Sequence, residues 1–114
     1  MKELNFVNLG PIRDVPLQKS FIVNALGHKL AVFRETFGHC FVVDCNSLNA
    51  VGETVEKSRL DGRNLRFEDG KCLDLVTGKF NGETSPRVKM LNSWTENGFI
   101  LVSVIELLNL SGLL

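Results

Sequence analysis

The chain has no net charge, no long apolar run and few residues of reactive type. Its 13 basic and 13 acidic side chains balance to a formal charge of +0 at pH 7, which removes any long-range attraction to nucleic acid or an anionic membrane. No window approaches the roughly 18 consecutive apolar residues that a spanning helix needs. The first residues, Met1-Lys-Glu-Leu-Asn-Phe6, lack the apolar stretch of a secretory signal. Three cysteines, Cys40, Cys45 and Cys72, are odd in number and irregularly spaced. That argues against a secreted disulfide framework, so a reducing cytoplasm is the expected setting. There is no glycine-rich phosphate loop of either the P-loop or the dinucleotide type, and no internal repeat or linker.

What is present is a series of short apolar runs with dense turn punctuation. At 114 residues the chain is expected to form one domain. Lys19–Ala25 and His28–Arg34 read as strands joined at Leu26-Gly27, and His39–Val43 as a third after Phe37-Gly38. Asn64–Phe67 and Lys71–Leu75 flank the turn Glu68-Asp69-Gly70. Arg87–Trp94 and Phe99–Ser103 flank Asn97-Gly98, the strongest hairpin signal in the sequence. These runs predict an all-β antiparallel sandwich or small barrel over residues 1–104. Residues 105–114 form a tail whose leucines at 107, 108, 110, 113 and 114 suit a short helix or turn packed back on the body. Trp94 and the eight phenylalanines are expected in the core, with Trp94 partly exposed near a strand end.

Two segments carry a resemblance. Leu48-Asn-Ala-Val-Gly52 and Arg66-Phe-Glu-Asp-Gly70 lie in the order and spacing of Cys-x-His-x-Gly and Cys-x-x-His-Gly, and Leu73-Asp-Leu-Val-Thr-Gly78 follows the second. Upstream, Val7–Pro16, Ala31–Arg34 and Phe41–Asp44 fit the same succession. Over residues 4 to 103 the chain thus resembles a Rieske-type [2Fe–2S] ferredoxin domain, which implies a Rieske-like fold with the two loops at one tip. In that family two cysteines hold one iron and two histidines the other. Here Leu48, Ala50, Arg66 and Asp69 occupy the four ligand positions. Leucine and alanine cannot ligate iron, and arginine is a permanent cation.

No cofactor is therefore expected, and neither is catalysis by the chain alone. Leu48 and Ala50 are expected to fill the cluster's space, Arg66 and Asp69 to pair across their turn, and packing to hold the loops. Within the family the chain is similar to the small subunit of NAD(P)H-dependent nitrite reductase. That likeness implies a larger protein partner, a reductase subunit carrying flavin and siroheme. The contact surface it implies lies at residues 48–52 and 66–70, with Val51, Gly52, Glu68 and Gly70 as the accessible candidates.

A rival reading is a metal or redox protein with displaced ligands drawn from Cys45, Cys72, Asp69 and His39. Its spacings lack the paired close motifs of a zinc site. Cys40 and Cys45 differ by an odd number, which in a strand places them on opposite faces. His28 reads as an exposed loop residue and His39 as a structural one. Adjacent His39 and Cys40 would point to opposite faces, so they make no nucleophile–base pair. Glu53, Glu56, Glu68 and Asp69 read as solvated surface.

Overall fold

The computed structural model of the protein describes residues 5–36 and 38–112. Within these lie eleven short strands and two α-helices: β1 (Phe6–Pro11), β2 (Phe21–Ala25), β3 (His28–Arg34), β4 (Cys40–Asp44), α1 (Cys45–Ala50), β5 (Ser58–Asp61), β6 (Asn64–Phe67), β7 (Cys72–Asp74), β8 (Lys79–Phe80), β9 (Met90–Leu91), β10 (Ser93–Glu96), β11 (Phe99–Ser103) and α2 (Val104–Leu110). They build three antiparallel sheets, ordered β1-β11-β10, β2-β3-β4-β9 and β5-β6-β7-β8.

The run Leu30-Ala-Val-Phe33 explains the layering. Successive side chains of a strand point to opposite faces, and all four of these are buried. Leu30 and Val32 join Val42, Ile100 and Val102 in a core against the first sheet. Ala31 and Phe33 join Val43, Leu60, Leu65 and Leu73 in a core against the third. The centre of the β2–β3–β4–β9 sheet is thus buried on both faces, which is why β3 reads as continuous rather than alternating apolar sequence, while β2 keeps Ile22 and Asn24 exposed. Turn chemistry fixes the register. Leu26 and Gly27 have φ of 50° and 82°, and Asn97 and Gly98 have 53° and 83°. Two successive positive φ values are what a tight two-residue hairpin requires.

Some expectations need correction. Arg87–Trp94 is two strands, because β9 pairs with β4 while β10 pairs with β11. The break falls at Asn92, whose N–H donates to the Glu106 carboxylate at 3.0 Å. The tail is helical from Val104. Ser103 caps it by accepting from the N–H groups of Ile105 and Glu106, and Leu107 is wholly buried. Leu113 and Leu114 lie outside the described residues, as do Phe37 and Met1–Leu4. Phe6 and Phe99 are exposed rather than core, and Trp94 is partly exposed as expected, meeting Phe6 edge to face at 6.4 Å. His28 opens β3, half-buried, with its Nε2 2.6 Å from the Ser111 hydroxyl. Among the described residues no helix is long and apolar enough to cross a membrane.

Candidate functional site

The segment after β4 is a helix rather than the expected loop. Asp44 caps α1, its carboxylate accepting from the Ser47 N–H at 3.3 Å while the Ser47 hydroxyl donates to the Asp44 carbonyl at 3.0 Å. One turn later the chain reverses. Gly52, at φ 87°, sends its N–H to the Asn49 carbonyl at 2.9 Å, and Glu53 sends its N–H to the Leu48 carbonyl at 3.2 Å. This is the paired closure of a Schellman motif, which a left-handed glycine permits at no steric cost. Leu48 and Cys45 point into the third-sheet core, and the half-buried Val51 packs against its margin. The reversal also turns Glu53 inward.

The second segment is the turn between β6 and β7. Gly70 donates to the Phe67 carbonyl and Phe67 to the Lys71 carbonyl, each at 3.0 Å. The Asp69 carboxylate accepts from the Lys71 N–H at 3.0 Å, an Asx-type closure. The Glu68 N–H reaches the Lys57 carbonyl at 3.2 Å, joining this turn to the segment that follows the first. A cleft of about 320 Å³ separates the two, lined by Gly52, Glu53, Lys57, Glu68 and Asp69.

Glu53 spans that cleft. Its side chain is only 6% exposed, and its Oε2 lies 3.5 Å from the Lys71 ammonium, which also stands 4.0 Å from Asp69 Oδ2. Burial pushes the Glu53 carboxyl above its usual range, and the neighbouring Asp69 carboxyl pushes it further. Asp69 moves the other way, held down first by the Lys71 N–H and then by the neighbouring Glu53 carboxyl. Two carboxyl groups thus face one ammonium, and their titrations are linked. Sequence reasoning took Glu53 for surface and passed over Lys71. Nothing local marks either, since their meeting depends on how two distant turns dock.

No protein-family model matches the chain, and no curated protein matches its sequence. Solved structures do. Sphingomonas yanoikuyae B1 ferredoxin superposes with a TM-score of 0.70 at 21% identity, covering 87% of this chain and 98% of its own. A protein assigned as the NADH-dependent nitrite reductase small subunit of Mycobacterium tuberculosis gives 0.71 at 14%, covering 86% and 93%. The ferredoxin in a complex of reduced oxygenase and oxidised ferredoxin of carbazole 1,9a-dioxygenase gives 0.69 at 14%, covering 90% and 95%. The fold is that of the Rieske-type ferredoxins.

The side chains at the four positions that the sequence aligns with Rieske ligands, Leu48, Ala50, Arg66 and Asp69, offer no cysteine or histidine to a cluster. Leu48 is wholly buried in the core. Ala50 is exposed on α1, so it does not fill the cluster's space as expected. Arg66 does not pair with Asp69. It projects from the outer face of β6 and meets Asp61 of β5 at 2.6 Å, while Asp69 is engaged by its own turn. The rival donors are also dispersed. Cys45 is buried, where desolvation pushes its thiol up and disfavours the thiolate a metal needs. Cys72 is half-buried on β7 opposite Arg66, and His39 is exposed just before β4. Cys40, from β4, packs at the margin of one core, and Cys45 enters the other from α1 rather than from the strand that the spacing assumed. Among the described residues no three His, Cys, Asp or Glu side chains converge as a metal site.

Proposed function

We propose that the chain is a non-catalytic accessory domain. It binds a larger redox-enzyme subunit through the tip, in the cytoplasm, and carries no iron–sulfur cluster of its own. The observation that supports this most directly is Leu48, which occupies a ligand position and is spent entirely on the core. A second support is the company the fold keeps, which includes a reductase small subunit and a ferredoxin in complex with an oxygenase. The partner is proposed to be a reductase subunit bearing flavin and siroheme, as in NAD(P)H-dependent nitrite reductase. Gly52, Glu68 and Gly70 are exposed and Val51 is half-buried, so all four are candidates for the contact surface.

The test is affinity purification of the tagged chain from its native host. Flavin and siroheme absorbance is read on what copurifies, and iron and sulfide are assayed on the chain itself. Stoichiometric recovery of such a reductase, lost in a Val51→Asp/Glu68→Lys variant that still folds, supports the reading. Two iron and two sulfide per chain overturn it, and so does retention of the reductase by the tip variant.

A further inference from the structure

In a Rieske domain each loop supplies one cysteine and one histidine, so the metal itself cross-links the loops. This chain has the loops without the donors, yet they are not left apart. We infer that the tip is tied by a clasp of its own side chains, in which the Glu53 carboxyl of the first loop is gripped by Lys71 and Asp69 of the second.

Three features carry this. Among the described residues two acidic side chains are buried, Asp44, which is used in capping α1, and Glu53, and a buried carboxyl is retained only where partners compensate for lost hydration. Its partners lie across the loop junction: Lys71 at 3.5 Å, and Asp69, which lines the same cleft and stands 4.0 Å from the same ammonium. Both ends of the clasp are themselves anchored. Glu53 is held through its N–H on the Leu48 carbonyl, and Asp69 through the Lys71 N–H. The Lys71 ammonium also lies 6.0 Å from the Phe80 ring centroid, which aligns it over the core. The other charges near the cleft are the exposed Glu56, Lys57 and Glu68, none of which bonds to Glu53 by its side chain. The clasp does not depend on whether the tip meets a partner, so it stands or falls apart from the docking proposal.

The experiment is amide hydrogen exchange on the isolated full chain. Glu53, Glu68 and Gly70 report the tip, since their N–H groups bond within or between the loops, and Val32 and Val42 report the core. Lys71→Met keeps the apolar stem and removes the charge. It is expected to speed exchange at the three tip amides by about five- to tenfold, leaving Val32 and Val42 unchanged. Lys71→Arg is expected to restore most of the protection, and Glu53→Ala, which removes the gripped group, to behave like Lys71→Met. A strong chelator should change nothing in the wild-type chain. Tip exchange unaltered by Lys71→Met, or loops that open with chelator, overturns the clasp. If Lys71→Arg is as fast as Lys71→Met, an ionic tie is likewise ruled out.

Discussion

The segment after β4 and the turn between β6 and β7 are closed in different ways. The first is a capped helix whose Leu48 and Cys45 extend the hydrophobic core. The second is a tight, exposed turn, held by its own Asx closure and by the Lys71 ammonium reaching across to Glu53. The difference follows from what each had beneath it. The first loop lies over the third-sheet core and can sink apolar side chains into it. The second points outward at the end of a hairpin, where Phe67 reaches the core but Glu68, Asp69 and Gly70 are exposed. Packing serves one loop and electrostatics the other, and the two should respond to different perturbations.

The largest effect belongs to the packed loop. Leu48→Ala is expected to cost about 2–5 kcal/mol in urea denaturation, because the side chain is fully buried and the site cannot collapse around the void. A loss below about 1 kcal/mol would mean that the first loop is not part of the core. Next is Gly78, at φ 75°, which ties the second loop's sheet to the segment before β9 by accepting from the N–H groups of Arg87 and Val88. A Cβ there would strike the Val88 carbonyl. Gly78→Ala should therefore lower stability by about 1–3 kcal/mol on the same assay.

The charge-held loop should answer to pH instead. Glu53 is raised above its ordinary 4.5, so its contribution is complete while it is protonated and is lost as pH climbs through its folded value. Asp69 is lowered below its ordinary 3.8, so its contribution is lost as pH falls through its folded value. Protection of the Glu53 and Gly70 amides, corrected for intrinsic exchange, should peak in mildly acidic solution between those values and decline on either side. A flat profile would place the second loop with the first, as a packed element. The smallest effect is expected at Ala50, the one ligand position that is simply exposed on a helix. Ala50→Lys should change stability by less than about 0.5 kcal/mol.

How far the sequence revealed this depended on how local each cause was. The β2–β3 and β10–β11 hairpins were legible because Leu26-Gly27 and Asn97-Gly98 carry their turn geometry in two residues. The succession of strands and loops was legible as a Rieske likeness for the same reason. The helix at Cys45–Ala50 was not. Its apolar pattern is too short for periodicity, and the one local sign was Asp44 three residues before Ser47, a cap without a following run. Arg66 went to Asp61 rather than Asp69 because the choice depends on strand pairing between β5 and β6, which side-chain types do not encode. Glu53 was misread for a related reason. A glutamate in a loop is usually solvated, and only the docking of two turns buries this one.

The doubly buried centre of the β2–β3–β4–β9 sheet has a bearing on how the molecule comes apart. Geometrically there are two cores, and proteins with two cores can melt in two stages. Here each core borrows one face of the same strands, Leu30 and Val32 for one, Ala31 and Phe33 for the other. Neither can be lost without stripping the wall of its neighbour. Heat or denaturant should thus take the molecule from native to unfolded in one cooperative step, with calorimetric and van't Hoff enthalpies in agreement.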